Sequence, residues 1–415
     1  MKRYLTQFLL SAATFFAAFG AINWVVDPYW IYGSPQIKHF NSIKPLIYEH
    51  PRLFKTNNVL HYPPEAIVLG TSREDAGIDP KHEAFRGLRA FNCAIPGQPY
   101  FEANKILETL ASNNTFPKLI VFGAIFEHSN PYFHGVIPDY TEENYNKLYR
   151  YRLLLSLSTL EASAKTVIKN QYINKRSLRD GFRPPEYWED VHGFGMHRLI
   201  YETTHQTLVQ EQLPLPAFKQ VLSAAGVSPI PMEEVREMVA LAYREKSNMK
   251  IFIGPSHALQ WETIWVNGIW PVFEAWKREL VDIVESEAVK AHATPFQVWD
   301  FSGYNSITTE EVPPVGDIKT PMHNYYDSSH YTPDIGRLVL DRIFNLEVPG
   351  RKVPDDFGVL MTSKNIEEHL ADIRRQHEQY SRTHPENVAE LVAMAKEVNE
   401  YKHKWLAEKG QVGSH

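Results

Sequence analysis

The sequence predicts an α/β fold, a doubly wound parallel sheet of five strands with helices on both faces. Short apolar, β-prone runs recur along the chain, and amphipathic stretches of helical length separate them. This alternation is typical of parallel strands joined by crossover helices. The runs are Ala66–Leu69, Leu88–Cys93, Lys118–Phe126, Met249–Ile253 and Gln297–Phe301, and the helical stretches include Phe101–Ser112 and Met232–Lys246.

The first element, over residues 1–26, is predicted to be a transmembrane anchor. Lys2 and Arg3 precede an uncharged, mostly apolar stretch, Tyr4–Val26, whose length suits a bilayer span. The positive-inside rule then places the N-terminus in the cytosol and the main domain on the extracytoplasmic side of the cell membrane, in a single-pass topology. A cleaved signal peptide is the alternative, because Ala18–Gly20 offers small residues for cleavage.

The remaining chain divides into three predicted parts. Residues 27–64 are expected to be an extended linker, since they are rich in Pro, Tyr and His and lack periodicity. Residues 65–346 form the α/β domain, which contains a large, mainly helical insertion at 127–245, far longer than an ordinary crossover. Residues 347–415 are predicted to be a linker followed by two amphipathic helices that break near Pro385.

Composition excludes several classes of function. The 415-residue chain has a net charge of -6, and it lacks a basic stripe interleaved with aromatic residues, which argues against a nucleic-acid partner. The single cysteine, Cys93, excludes an intramolecular disulfide and a Cys-based zinc cluster. No cofactor is implied.

Two short motifs carry the chemistry. Gly70-Thr71-Ser72-Arg73 follows the first apolar run, so Ser72 is expected on the turn after a buried strand. Asp327-Ser328-Ser329-His330 precedes a helix, and this spacing lets a carboxylate and an imidazole converge from one turn. Because ligands bind at the carboxyl ends of parallel strands, both motifs are expected at one edge of the sheet. Ser72, His330 and Asp327 are the residue types of a nucleophile, its base and an orienting acid.

These motifs resemble those of the SGNH (GDSL-like) hydrolase superfamily over residues 65–344, with the Asn92–Gly97 loop after the second strand as a further match. The predicted sheet is accordingly of the flavodoxin-like kind. The chain order is also similar to that of membrane-anchored teichoic acid D-alanylation proteins and, more distantly, of polysaccharide O-acetylation proteins. The resemblance implies that Ser72 is the nucleophile, that His330 is the general base and then acid, and that Asp327 orients the imidazole.

The resemblance also implies oxyanion and substrate contacts. Gly97 would donate its backbone amide, and Asn92 and Asn305 are further candidates. The segment Gly123–His128 lacks the asparagine that the superfamily carries after the third strand, and Thr71 replaces the aspartate that usually precedes the nucleophile. The implied activity is a serine esterase or O-acyltransferase for acetyl-type esters of a cell-envelope polysaccharide. The implied partners are an envelope glycan or acyl donor and a membrane acyltransferase.

Alternatives from other classes stay open on the residues alone. One is a noncatalytic envelope-assembly or glycan-binding protein that retains the fold. Another is a second nucleophile and base in Gly254-Pro255-Ser256-His257. A third is a metal-dependent hydrolase, although no known ligand spacing is present. Its ligands would come from Asp300, Glu310, His323, Asp327 and His330.

The insertion is rich in aromatic residues, which either form its own core or stack on sugar rings at the rim of the site. They include Tyr145, Tyr149, Tyr151, Phe182, Tyr187, Trp188, Phe194 and Tyr201. As a cap, the insertion would influence whether water or a sugar hydroxyl receives the acyl group.

Overall fold

A six-stranded sheet forms the centre of the protein, in a computed structural model that describes residues 1–129, 139–173, 175–188, 195–212, 222–223, 226–227 and 232–410. The strands are β1 (Ala66–Leu69), β2 (Ala90–Asn92), β3 (Leu119–Ala124), β6 (Asn248–Ile253), β7 (Gln297–Asp300) and β8 (Val359–Met361), and a separate hairpin contains β4 (Leu222–Ser223) and β5 (Gly226–Val227). The spatial order is β2-β1-β3-β6-β7-β8.

The helices of the described ranges connect and cover these strands. They are α1 (Lys2–Val26), α2 (Pro51–His61), α3 (Ser72–Gly77), α4 (Tyr100–Ser112), α5 (Tyr149–Leu154), α6 (Leu157–Lys169), α7 (Met196–Gln206), α8 (Glu233–Arg244), α9 (Ala258–Val266), α10 (Trp270–Lys290), α11 (Pro333–Phe344), α12 (Ile366–Thr383) and α13 (Pro385–Gly410).

Each of the five predicted runs overlaps a strand, and these five strands are parallel. The predicted strand count was nevertheless wrong, because β8 adds a sixth strand antiparallel to β7. It comes from the segment 347–415, which was expected to be a linker and helices. Three residues are too few to give a period-2 pattern in the sequence.

The core lies on both faces of the sheet because alternate strand residues point in opposite directions. Ile67 and Leu69 pack with Leu107 of α4 on one face, and Val68 packs with Val339 of α11 on the other. All five residues are fully buried. The parallel strands therefore end at one edge, and residues that follow β1, β3 and β6 are brought together there.

The segment 27–64 is not an extended linker. It contains the buried helix α2, whose Leu53, Phe54, Val59 and Leu60 pack into the domain. Buried polar residues such as Lys55 interrupt the apolar periodicity of this helix, so the sequence pattern did not predict a helix here.

Further helices lie in the insertion and near the C-terminus. In the described parts of the insertion, α5 to α8 connect β3 to β6, and α12 and α13 meet at Pro385 near the C-terminus. Buried Leu370, Ile373 and Leu391 fix these two C-terminal helices to the domain. At the other end of the chain, α1 is long and apolar enough to cross a membrane.

The backbones of α11 and α3 approach each other closely at Gly336 and Gly77, and this contact predicts the effect of a substitution. A Cβ on Gly336 would overlap the carbonyl oxygen of Gly77. Helix propensity alone would make Gly336→Ala stabilising by about 1 kcal/mol. Because overpacking against backbone costs more than this gain, we expect a net loss of about 1–3 kcal/mol in the free energy of unfolding. Urea denaturation in detergent measures it.

The matched control is Arg337→Ala on the same helix. The ion pair of Arg337 with Asp334 is exposed, so this change should stay within about 0.5 kcal/mol of the wild type. A Gly336→Ala variant that is as stable as the wild type would contradict the packing described for these two helices.

Candidate active site

Ser72 lies on the turn between β1 and α3, as the first residue of the helix. Glu74 Oε2 accepts the backbone N–H of Thr71 at 2.8 Å, a contact typical of a helix N-terminal capping box. Gly70 makes room for this carboxylate, because a Cβ at that position would overlap Glu74. The nucleophile candidate is therefore presented from a turn with little freedom to move.

Ser72, His330 and Asp327 form one continuous hydrogen-bonded chain. His330 Nε2 lies 2.7 Å from Ser72 Oγ, and His330 Nδ1 lies 2.8 and 2.9 Å from the two carboxylate oxygens of Asp327. Asp327 Oδ1 also accepts the backbone N–H groups of Ser329 and His330, at 2.8 and 2.9 Å. These contacts fix the carboxylate and the imidazole on one turn, in the geometry that activates a serine.

The electrostatics of the pair favour an ionised Asp327. Burial alone would raise the pKa of this carboxyl group. The neighbouring His330 and the hydrogen bonds from His330 and Ser329 outweigh burial and lower the pKa below its ordinary value. An anion at this position holds the proton of His330 on Nδ1 and leaves Nε2 free to accept the proton of Ser72.

Two backbone amides are available as oxyanion donors. The N–H of Ser72 opens α3 and has no acceptor within the helix. The N–H of Gly97 makes no backbone hydrogen bond within the described ranges. Gly97 has a φ of +65°, a conformation that favours glycine, and its loop is tied to the nucleophile turn because Ile95 N–H donates to the Gly70 carbonyl at 3.1 Å. The oxyanion role of Gly97 stays a prediction from the sequence.

Asn92 does not serve the site as expected, because its side chain is fully buried and occupied. Its Nδ2 donates to the carbonyls of Glu74 and Ile78, each at 2.8 Å, and its Oδ1 accepts the N–H of Ala94 at 3.0 Å. These partners are the carbonyls near the end of α3 and the loop that leads to Gly97. Asn92 is therefore a positioning residue for the nucleophile turn.

This placement predicts that Asn92→Ala acts on stability. Removing the amide leaves buried backbone groups without partners, at a cost of about 1–3 kcal/mol in the free energy of unfolding. Thermal or urea denaturation measures this loss, and Asn248→Ala at an exposed strand position is the control, expected within about 0.5 kcal/mol. Full stability combined with loss of ester turnover would instead assign Asn92 to the oxyanion.

Arg73 connects the turn that carries Ser72 to the Asp327–His330 turn and to the segment after β3. Its Nε donates to Ser329 Oγ at 2.8 Å, and its guanidinium lies 3.9 Å from the Glu127 carboxylate after β3. Burial, followed by the nearby Arg73, lowers the pKa of His128 to about 3, so this imidazole is neutral at ordinary pH. The segment that lacks the superfamily's asparagine thus supplies a carboxylate and a neutral imidazole.

Asn305 is also a structural residue, against the sequence prediction. It is 8% exposed, and its Oδ1 accepts the N–H groups of Ile307 and Thr308 at 3.1 and 3.0 Å. Asparagine commonly stabilises a turn in this way. The motif Asp300–Asn305 therefore shapes a loop, and Tyr304 links this loop to α9 by donating to Glu262 at 2.6 Å.

The second nucleophile and base are not assembled. Ser256 Oγ donates to the Ser329 carbonyl at 3.1 Å, and His257 Nε2 lies 2.8 Å from the Glu310 carbonyl. His257 Nδ1 accepts the N–H of Leu259 at 3.2 Å. Ser256 therefore supports the backbone of the Asp327–His330 turn, whereas His257 caps the N-terminus of α9.

The five proposed metal ligands do not form one group either. Asp300 contacts Lys277 at 2.7 Å and His369 at 2.8 Å, while the Glu310 carboxylate accepts the N–H groups of His323 and Asn324. Across the part of the chain that the structure describes, no group of three or more His, Cys, Asp or Glu residues is arranged to hold a metal ion.

An aromatic side chain of the insertion covers the His330 imidazole. The Trp188 ring lies 4.6 Å from the His330 ring, centroid to centroid, and stacks on Tyr326 at 5.3 Å. Arg183 lies 5.8 Å from the same indole. Phe182 and Tyr201 are instead buried, and Phe194 lies outside the described residues. Trp188 thus brings the insertion into contact with His330.

A buried carboxylate beneath the site was missed from the sequence. Glu74 is fully buried, and burial raises its pKa above the ordinary value in spite of the hydrogen bond from Thr71. Tyr331 Oη donates to Glu74 Oε1 at 3.3 Å, and a Cβ on Gly123 would overlap the Glu74 carboxyl group. The Thr-x-x-Glu spacing of a capping box was the signal that could have identified it.

A cluster of ion pairs around Asp75 of α3 was also missed from the sequence. Asp75 contacts Lys55 of α2 at 2.6 Å and Arg183 of the insertion at 2.8 Å. Lys55 also donates to the Ala94 carbonyl. The residues come from four separate parts of the chain, so no sequence spacing indicates the contact.

Comparison with known proteins gives no match to a family model, a curated protein or a solved structure. The likeness to SGNH hydrolases stays a prediction from the motifs. Function is therefore inferred from the chemistry of the site.

Proposed function

We propose that this protein is an SGNH-like serine esterase or O-acyltransferase, and that its sheet belongs to the doubly wound, flavodoxin-like class. The supporting observation is the hydrogen-bonded chain from Ser72 through His330 to Asp327 at the carboxyl edge of the sheet. A serine hydroxyl next to an imidazole that is oriented by a buried carboxylate has the chemistry of an acyl-transfer nucleophile.

The proposed reaction proceeds through an acyl-enzyme. His330 Nε2 takes the proton of Ser72 as Oγ bonds to the acyl carbonyl carbon, and the N–H groups of Ser72 and Gly97 stabilise the oxyanion. The ester C–O bond then breaks, His330 protonates the leaving alkoxide, and the acyl group remains on Ser72. A water molecule or a sugar hydroxyl then gives its proton to His330 and releases the acyl group by the reverse sequence.

The proposed substrates are acetyl-type esters of a cell-envelope polysaccharide. An N-terminal helix of membrane-spanning length supports a single-pass protein of the cell membrane with its main domain on the extracytoplasmic side. A membrane acyltransferase is the class of partner that would supply the acyl donor. Trp188 is half-buried beside His330, and it is the aromatic side chain on which a sugar would stack.

The Trp188 cover also favours transfer over hydrolysis. An indole 4.6 Å from the imidazole removes water from one side of the base, and a stacked sugar would place its hydroxyl near the acyl carbonyl. The choice of acceptor then depends on which hydroxyl reaches Nε2 of His330 first.

The test uses the purified full-length protein in detergent. An O-acetylated polysaccharide reports hydrolysis as released acetate, and p-nitrophenyl acetate with the deacetylated polysaccharide reports transfer as new sugar ester. We expect the wild type to perform at least one reaction and the Ser72→Ala variant to perform neither. Folded wild-type protein that matches Ser72→Ala in both assays would favour the noncatalytic glycan-binding alternative.

A further inference from the structure

Four large apolar side chains are exposed around the turn between α5 and α6. Leu148 is 65% exposed, Tyr151 and Leu155 are each 53% exposed, and Leu157 is 76% exposed. We call these four residues the interfacial patch. Clustered apolar exposure of this kind marks a surface that is covered in the working protein.

The interfacial patch is fixed to the C-terminal part of α1. A Cβ on Gly20 would lie 3.5 Å from Cδ2 of Leu155. The side chain of Asn23 is fully buried, where its Nδ2 donates to the Leu154 carbonyl at 2.9 Å and its Oδ1 accepts from Ser163 Oγ at 3.0 Å. Contacts to both insertion helices therefore make α1 and the patch one rigid unit.

The contact with α1 determines the depth of the patch. Gly20 precedes the helix end, Val26, by about 9 Å at the rise of an α-helix. The 25-residue helix is about 37 Å long, somewhat more than the roughly 30 Å of bilayer hydrocarbon. Leu155 beside Gly20 then lies near the boundary between acyl chains and headgroups. Trp24, 46% exposed, lies about 6 Å closer to the helix end than Gly20, at the interface that tryptophan prefers.

We propose that the interfacial patch inserts into the bilayer that α1 spans, in the leaflet where the C-terminal end of α1 emerges. Apolar side chains on an interfacial helix enter by about 5–10 Å. Lys147 precedes the patch, and the Arg150 guanidinium lies 5.0 Å from the Tyr151 ring, so cations are placed at headgroup level. Arg152 pairs with Glu143 and adds no net charge. Anionic headgroups match this arrangement.

Insertion of the patch would give the domain a second membrane contact besides α1. A single spanning helix permits the domain to tilt and rotate, whereas two rigidly linked contacts hold it in one orientation. The mouth of the site would then stay at a constant height above the lipid headgroups. This inference depends on α1 being in the membrane and is independent of the acyl-transfer proposal.

The test measures the depth of an environment-sensitive fluorophore attached to single introduced cysteines in the full-length protein. Leu157→Cys reports the patch, Phe8→Cys reports α1, and Val289→Cys, an exposed apolar position on α10, is the matched control. Cys93 is buried and burial raises its pKa to about 12, so the native thiol does not compete for label. Unsubstituted protein measures any background.

The labelled proteins are reconstituted in vesicles of phosphatidylcholine with a minority of phosphatidylglycerol. We expect the fluorophore at 157 to emit at shorter wavelength and to be quenched by lipids spin-labelled at the headgroup, while the fluorophore at 289 stays water-like. If the label at position 8 is quenched in the acyl region but the labels at 157 and 289 emit at the same wavelength, the proposed insertion of the interfacial patch is overturned. An unquenched label at position 8 would overturn it as well, because the anchor itself would be absent from the bilayer.

Discussion

Replacing His330 with alanine is expected to lower kcat for ester turnover by about 10⁶-fold. The imidazole lies 2.7 Å from Ser72 Oγ and is the only general base in contact with it among the described residues, so its loss leaves the hydroxyl protonated. Asp327→Asn should cost about 10⁴-fold, because an amide cannot hold the required tautomer of the imidazole. Burst and steady-state kinetics with p-nitrophenyl acetate measure both effects.

The triad should also behave as one unit. Once Ser72→Ala has removed the nucleophile, adding His330→Ala is expected to lower the residual rate only slightly. His205→Ala, an exposed histidine on α7, is the control and should leave kcat unchanged. A His330→Ala protein that keeps most of the wild-type kcat would show that another group activates the nucleophile.

Lys277→Met is expected to lower the free energy of unfolding by about 3–5 kcal/mol, the largest single-residue effect on stability that we predict. Lys277 and Asp300 are both fully buried, with Nζ 2.7 Å from Oδ2, and Lys277 also donates to Ser302 Oγ at 2.8 Å. Removing the cation leaves the Asp300 carboxylate in the core with His369 as its remaining ionisable contact. Denaturation of the folded domain measures the loss.

Lys118→Met is the matched control for this ion pair. Lys118 contacts Glu65 at 2.9 Å, but its side chain is 71% exposed, so its loss should cost about 0–1 kcal/mol. Equal effects of the two substitutions would contradict the burial of the Lys277–Asp300 pair.

The same pair predicts a pH dependence. Burial alone would raise the pKa of Asp300, but Lys277 and His369 outweigh burial and hold the pKa well below its ordinary value. A lowered pKa contributes stability above the ordinary value of about 4, and this contribution disappears as the pH falls towards the folded-state pKa. The stability difference between wild type and Asp300→Asn should therefore narrow below about pH 4. A stability difference between the two proteins that stays constant from neutral pH to pH 2 would contradict the lowered pKa of Asp300.

Local patterns were enough to predict the parallel strands and the positions of the two motifs. Apolar runs such as Ala66–Leu69 are continuous because a central parallel strand is buried on both faces. The carboxyl ends of parallel strands share an edge, so a serine after the first strand and a late Asp-x-x-His turn could be expected to meet. The 2.7 Å contact between Ser72 and His330 agrees with that expectation.

Side-chain partners that come from distant segments could not be predicted. Asn92 and Asn305 were assigned to the site by residue type and position, but both side chains form hydrogen bonds with backbone groups. Whether an asparagine side chain reaches a backbone group depends on the local φ and ψ angles, which the sequence does not give. The Trp188 cover depends on how the long insertion folds back over the sheet. The strand β8 is too short to carry a pattern of its own.

The most direct test of the account is covalent labelling with a fluorophosphonate probe, read by intact mass and peptide mapping. The activated hydroxyl predicts one adduct per folded chain, located on Ser72, absent in Ser72→Ala and formed more slowly in Asp327→Asn. Folded wild-type protein that takes up no probe, or an adduct that persists in Ser72→Ala, would contradict the assignment of Ser72, His330 and Asp327 as a catalytic triad.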